Sequence, residues 1–181
     1  FPEFREAGEW EQKTVGDVGQ VVTGSTPSTA KQEYYGGNIA FVSPADISDL
    51  RYVEKTKTSL TELGFAQTRP IPAYSVLFVC IGSTIGKVAQ NASDCATNQQ
   101  INSVVPNSAH NAAFLYYLLV KNSGSIAKLA GKQAVPIVNK TLFSSVSLLA
   151  PESDEQKRIA TCLSSLDALI AAEADKLDAL K

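Results

Sequence analysis

Residues 153–181 read SDEQKRIATCLSSLDALIAAEADKLDALK, and how this stretch winds decides how the rest of the chain is arranged. Ser153 with Gln156 three residues later is a capping-box signature. Asp154 and Glu155 fall in the first turn, where the helix dipole favours carboxylates. Apolar residues then recur at Ile159, Leu163, Leu166, Ile170, Leu177 and Leu180, at spacings of 4, 3, 4, 7 and 3. The residue missing from the spacing of seven is Glu173. This is a 3.5-residue repeat, a narrow seam rather than the broad apolar face of a helix packed into a core. At about 1.5 Å per residue the stretch from 154 onward reaches roughly 42 Å, longer than the domain behind it is wide. Two arrangements are open: a helix folded back on its own body, and a helix of coiled-coil type that seeks another helix. The narrow seam favours the second, with Glu173 fixing register at some cost in stability.

Ahead of the helix lies enough chain for one domain, so the expected division is 1–151 for a globular body and 152–181 for the helix. A hydrophobic share of 44% is ordinary for a globular protein and sufficient for a core. No apolar run approaches the length of a membrane span. The opening FPEFREAGEWEQK is too acidic and polar for a secretory signal. Cys80, Cys95 and Cys162 form no CxxC and have no neighbouring histidine. They read as small buried hydrophobes in a reducing, cytoplasmic setting. Charge is segregated. Residues 12–150 carry 11 Lys/Arg against 7 Asp/Glu, whereas residues 151–181 carry 4 against 7. A basic body with an acidic terminal helix permits a polyanionic partner on the body.

The body reads as α+β with a mixed sheet. YSVLFVCIG (74–82) is the strongest strand, a continuous apolar run expected to be buried on both faces. GQVVTG (19–24), IAFVSP (39–44), the return after STIGKVAQ (83–90), INSVVP (101–106) and FSSVSLLAP (143–151) supply further strands. TSLTELGFAQT (58–68) is a short helical turn or loop. NAAFLYYLLVK (111–121) is helical with Asn111 as N-cap, and GSIAKLAG (124–131) is a second, shorter helix closed by Gly131.

The chain shows no catalytic machinery. GSTIGKV (82–88) has a glycine-bounded loop ending in Lys87, but the spacing is one residue short of a phosphate-binding loop, and Val88 stands where a magnesium-binding hydroxyl is needed. His110 is the sole histidine and lies in a loop, so no nucleophile–base pair is apparent. The acids are scattered, and no metal or cofactor is expected. Readout chemistry is present instead. ATNQQINS (96–103) groups Asn98, Gln99 and Gln100, whose amides suit bidentate contacts to adenine. TPSTAKQEYY (26–35) adds hydroxyls, Lys31 and two tyrosines, and AGKQAV (130–135) adds Lys132 and Gln133. Ser83, Thr84 and Lys87 offer hydroxyls and a cation to a nucleic-acid phosphate.

Taken in order, VVTGSTPS (21–28), YYGGNIAFVSPADI (34–47), IGSTIGKV (81–88), ATNQQINSVVP (96–106), FLYYLL (114–119) and LLAPESDEQKRIATCLSSLDALI (148–170) resemble one target-recognition domain and the following helix of the DNA-specificity subunit of type I restriction–modification systems. The resemblance covers nearly the whole chain. It implies a non-catalytic protein that reads double-stranded DNA and carries methyltransferase and restriction subunits to it. It also implies a helix that acts as spacer and docking strut. The family pattern is two such domains and two antiparallel helices, so this half pattern implies either a piece of a longer subunit or a half-subunit that pairs with its copy. Carried over by motif are Thr26, Ser28, Tyr34 and Tyr35 in the first loop, Thr84 and Lys87 in the second, and Asn98 and Gln99 in the third. Lys31, Gln100, Lys132 and Gln133 are added from side-chain chemistry. The helix-pairing residues are the six of the seam. The alternatives are a protein-interaction module or DNA-mimicking regulator that pairs through its helix, and an enzyme with phosphate chemistry at Gly82–Lys87.

Overall fold

The computed structural model describes residues 1–6, 8–53, 55–131 and 135–179. In chain order the elements are β1 (Glu11–Thr14), α1 (Val15–Val18), β2 (Gly19–Thr23), β3 (Tyr35–Val42), β4 (Thr58–Leu60), α2 (Glu62–Phe65), β5 (Val76–Val79), β6 (Val88–Gln90), β7 (Cys95–Thr97), β8 (Ile101–Pro106), α3 (Ala112–Lys128), α4 (Lys140–Ser144), β9 (Ser147–Ala150) and α5 (Ser153–Ala179). The seam residue Leu180 and the loop residues Lys132 and Gln133 lie outside the described residues.

The apolar run around residue 76 sits where the sequence expects it, in the middle. β5 lies inside an antiparallel sheet of order β2-β8-β5-β6, and all four of its residues are buried. Alternate side chains of a strand point to opposite faces. Val76 and Phe78 join a cluster with Phe114, Leu115, Leu119 and Ile126 of α3 and Phe143 of α4. Leu77 and Val79 join a second cluster with Val42, Ile47, Ile71 and Cys95. That second cluster lies against a mixed sheet, β4-β3-β7, in which β3 pairs antiparallel with β4 and parallel with β7. The body is therefore a layer of helices, a four-stranded sheet and a three-stranded sheet. A separate pair, β1 with β9, brings residues 11–14 back beside the strand that leads into α5.

Several local expectations are corrected. Thr58–Leu60, read as a helical turn or loop, is a strand that pairs with β3. Phe143 and Ser144, read as the start of the last strand, end α4. Cys162, read as buried, is exposed. The segments 111–121 and 124–131 form one helix, not two. Gly124 lies in open space on its exposed side. A helical glycine costs roughly 1 kcal/mol, whereas burying Ile126 against the sheet returns about 1.5–3 kcal/mol, so the helix runs on. Asn111 caps it as expected, accepting from the Phe114 N–H at 3.0 Å. Nor does Gln156 complete a capping box with Ser153. Its side chain is buried, with Oε1 accepting from the Asn111 N–H at 3.0 Å and Nε2 donating to the Pro151 carbonyl at 2.8 Å. A buried amide must be satisfied on both sides, and the start of α3 offered the missing donor. A capping box does form earlier, unanticipated, between Thr14 and Asp17 at the start of α1.

α5 is divided along its length. Gln156 and Ala160 are buried, and Ile159 packs on the main cluster. Ser164 and Asp167 are half-buried against the body. Beyond Asp167 every described side chain is exposed. The first half of α5 thus lies on its own body, as the first arrangement expects, and the second half projects from it with its side chains exposed. The opening segment runs beside the first turns, with Glu3 meeting Arg158 at 3.1 Å and Trp10 donating to Glu155 at 3.4 Å.

Cys80 and Cys95 are buried, and burial pushes both thiols up to about 12; Cys162 is exposed on α5. The thiolate is the reactive form. Ellman's reagent at neutral pH should therefore titrate one thiol per native chain quickly and the other two only on unfolding, read as absorbance against denaturant.

Candidate nucleic-acid interface

Two crossings between the sheets lie side by side. The first loop, 24–34, leaves β2 of the four-stranded sheet and enters β3 of the three-stranded one. The third loop, 98–100, returns from β7 to β8. Backbone bonds tie them together: Gly24 N–H donates to the Ile101 carbonyl at 3.0 Å, and Ser25 N–H to the Thr97 carbonyl at 2.9 Å. The approach is so close that a Cβ on Gly24 would stand 2.1 Å from the Asn98 carbonyl oxygen and 2.3 Å from Thr97 Oγ1. Only glycine fits. On the outside the two loops are joined through side chains, Thr26 Oγ1 donating to Gln99 Oε1 at 2.7 Å, with both residues exposed.

The second loop reaches this edge at one end only. Cys80 N–H donates to the Gln100 carbonyl at 2.8 Å, and Gln100 Nε2 lies 3.5 Å from the Ile81 carbonyl. Gly82 N–H donates to the Pro136 carbonyl at 3.0 Å, which brings the stretch after residue 134 to the same place. Gly82 and Gly86, at φ of 98° and 95°, supply the left-handed turns that keep the loop tight. Thr84 and Lys87 lie farther round, in an open groove with Ser48, Asp49 and Ser123 of α3. The Lys87 ammonium donates to the Ile47 carbonyl at 2.8 Å while its side chain stays exposed. Thr84 and Lys87 are therefore brought to a different groove from the Thr26–Gln99 pair.

The expected residues divide by what their polar atoms already do. Tyr35 donates its hydroxyl to the Pro27 carbonyl at 2.8 Å and pins the first loop. Asn98 Oδ1 accepts from the Gln100 N–H at 3.0 Å, and its Nδ2 donates to Gln100 Oε1 at 3.0 Å. These three hold loops. Gln99 and Ser28 are exposed, and the Gln99 amide NH2 makes no hydrogen bond among the described residues. At the far end of the first loop Lys31 donates to the Tyr34 hydroxyl at 3.0 Å and lies 5.1 Å from that ring. The bond to the Tyr34 hydroxyl, then electrostatic attraction to the same group, raises the Lys31 ammonium above its usual range. α2 fixes this end, since Thr61 donates its hydroxyl to the Glu33 carbonyl at 2.7 Å.

Arg69 is a residue that sequence reasoning missed. Its guanidinium donates to the Thr23 carbonyl at 2.8 Å, and its backbone N–H donates to Ser25 Oγ at 3.1 Å. It thus places a second exposed cation beside the first loop, from a segment between α2 and β5 that carries no sequence signal. Among the described residues, Lys13 is paired with Glu11, Lys121 lies over Trp10, and Arg51 is engaged beside α3 and α5. These three cations are thus already engaged by neighbouring side chains. No cluster of acids, histidines or thiols suited to a metal occurs among the described residues.

The sequence pattern described as the type I restriction modification DNA specificity domain matches residues 7–181. The chain is 32% identical over 150 residues to the type I restriction enzyme HindI specificity subunit of Haemophilus influenzae, covering 80% of this chain and 32% of that protein. It is 30% identical over 168 residues to the MjaIX specificity subunit of Methanocaldococcus jannaschii, covering 90% and 39%. The solved HsdS subunit of Thermoanaerobacter tengcongensis has the same fold, with a TM-score of 0.71 at 19% identity over 92% of this chain and 39% of that one. The chain spans about a third to two fifths of the length of these relatives.

Replacing Gly24 by Ala forces the two crossings apart. Overpacking of this kind costs about 1–3 kcal/mol, and the loss should appear as a lowered denaturation midpoint with an unchanged slope. Gly36→Ala is the wrong control, because that glycine sits at φ 83°; Gly8→Ala, which meets open space at an ordinary φ, should leave the midpoint in place.

Proposed function

We propose, since this chain belongs to the type I restriction modification DNA specificity family, that its globular part reads a segment of double-stranded DNA for a restriction–modification complex. The Thr26–Gln99 pair carries this reading. It joins two loops on an exposed edge and leaves an amide donor unused. A glutamine amide can address the N6 and N7 edge of adenine, and such a pair is worth about 1–3 kcal/mol of discrimination. Lys31, Arg69 and the Tyr34 hydroxyl flank that edge and supply phosphate contacts, which position the protein without reading bases. Tyr35, Asn98 and Gln100 keep the loops in shape. Lys87 and Thr84 make a further phosphate contact from the neighbouring groove, with Ser28, Lys132 and Gln133 completing the set.

The protein performs no reaction itself in this proposal and needs no cofactor; partner subunits supply methylation and cleavage in the cytoplasm. Residues 1–151 form the reading domain, and residues 152–181 form the strut on which a methyltransferase subunit, a restriction subunit or a second specificity half assembles. The exposed seam of Leu166, Ile170 and Leu177, at 49%, 69% and 63% exposure, supports a coiled-coil contact with a partner helix. A DNA-mimicking regulator is not favoured, because the edge displays amides and cations, not carboxylates.

Selection from a random duplex library, followed by anisotropy titration across a range of salt, tests the reading. Gln99→Ala should lose about 1–3 kcal/mol on the selected duplex and little on a scrambled one. Lys31→Ala and Lys87→Ala should weaken both duplexes alike and flatten the salt slope by about one unit each. A chain that enriches no sequence, alone or assembled with its methyltransferase, would sink the proposal.

A further inference from the structure

Beyond Ile159 and Ala160, which pack on the main cluster, the contact between α5 and the body is polar where a buried helix face is normally apolar. Arg51, in the loop after β3, is its centre. Its Nε donates to Gln90 Oε1 at 2.7 Å, and one terminal nitrogen donates to Ser164 Oγ of α5 at 2.8 Å and to the Tyr117 hydroxyl of α3 at 3.2 Å. Its guanidinium carbon lies 4.9 Å from the Tyr52 ring, 5.3 Å from Tyr116 and 5.2 Å from Tyr117, an aromatic cage that suits a planar cation. The Tyr117 hydroxyl completes the link, donating to Asp167 Oδ2 of α5 at 2.6 Å.

The inner side of this node is fixed. Gln90 is fully buried on β6, and its Nε2 donates to the Tyr74 and Ala112 carbonyls at 3.0 Å each. The backbone of the Arg51 loop pairs with the same strand, Gln90 N–H donating to the Arg51 carbonyl at 2.7 Å and Val53 N–H to the Gln90 carbonyl at 3.0 Å. A second attachment lies eleven residues back, where Gln156 meets the Asn111 N–H and the Pro151 carbonyl. Eleven residues of helix span about 16 Å. Two attachments so far apart fix a helix in direction as well as in place.

We propose that Arg51, Tyr117, Ser164 and Asp167 form a joint that fixes the angle between the globule and the projecting half of α5. Apolar packing alone would let the helix roll or slide, since contact between alkyl groups has no direction. Hydrogen bonds at 2.6–2.8 Å to Ser164 and Asp167 hold only one rotation of α5, because a turn of the helix carries both acceptors away. Burial, then the bond to Asp167, raises the Tyr117 phenol above its usual range, consistent with a hydroxyl kept as a donor inside the joint. The consequence for DNA, that the reading edge is presented at a set angle to whatever α5 binds, rests on the proposed function. The joint itself does not.

Electron–electron double resonance without DNA tests the joint alone. In a Cys162→Ser background, Leu63→Cys on α2 and Ala172→Cys on α5 carry the spin labels, and Cys80 and Cys95 stay buried and unlabelled. Dilution with unlabelled chain removes distances between copies. The parent should show one narrow distance. Tyr117→Phe, which removes a single hydroxyl and keeps the ring, should broaden or shift it, as should Arg51→Ala and Arg51→Lys, since an ammonium cannot replace the fork. Asp167→Asn, which keeps an acceptor, should restore the parent distribution, whereas Asp167→Ala should not. Circular dichroism and a cooperative melt confirm that each variant is folded, and if Arg51→Ala does not fold, Tyr117→Phe decides. A parent-like distribution in Tyr117→Phe and Asp167→Ala overturns the joint, whatever the chain does with DNA.

Discussion

Four consecutive residues, Val76–Val79, have no exposed side, and the arrangement of the body follows from covering both faces of that strand. Each of these side chains contributes about 1.5–3 kcal/mol by leaving water. Val76 and Phe78 require a helical layer, and Leu77 and Val79 require a second sheet. A chain that supplies strands to two stacked sheets must cross between them, and every crossing is a loop at the rim. The first and third loops are two such crossings, which is why residues far apart in sequence, Thr26 and Gln99, meet on one edge. The candidate interface is thus a by-product of how the core is closed. Gly24 sets how near the two crossings can come.

The terminal helix carries two strips, one that contacts the body and one that is left largely exposed. Gln156, Ala160, Ser164 and Asp167 face the body, and Leu163, Leu166, Ile170 and Leu177 form the seam. With 3.6 residues per turn the two strips lie about a quarter turn apart. One helix can therefore be held by its globule and still offer an apolar strip elsewhere. Apart from Ile159, a seam residue that packs on the main cluster instead, the holding strip is small and polar. Its Arg51 cage is still strong, since cation–π contacts contribute from about 0.5 kcal/mol when exposed to about 2 kcal/mol when desolvated.

The periodic signals were legible in the sequence and the non-periodic ones were not. The long helix, the buried central strand, the Asn111 cap and the strands β2, β8 and β9 all carry repeats or turn residues that local physics reads directly. The break expected at Gly124 failed because a local cost of roughly 1 kcal/mol is smaller than the burial it would forfeit. Gln156 was misread for a related reason: the cap pattern is local, but the donor it found, Asn111, is 45 residues away. Arg51 and Arg69 left no sequence trace. An arginine in a loop looks the same whether it ends in solvent, on a neighbouring loop's carbonyls or inside a cage of three tyrosines.

Under the proposed function, the same distinction bears on how such an edge changes what it reads. Tyr35, Asn98, Gln100 and Gly24 direct their contacts inward and set the shape of the loops. Thr26, Ser28 and Gln99 are exposed; Thr26 and Gln99 bond to each other, whereas Ser28, whose side chain makes no hydrogen bond among the described residues, has little to lose in the fold if replaced. Substituting an exposed side chain away from caps and networks changes stability by about 0.5 kcal/mol or less. Its effect on a bound base pair can be several times larger. Under the proposed function, selection on readout has most freedom at Ser28 and, with the loss of one exposed hydrogen bond, at Thr26 and Gln99, while the inward positions are held by folding and the proposed joint at Arg51 sets the angle separately.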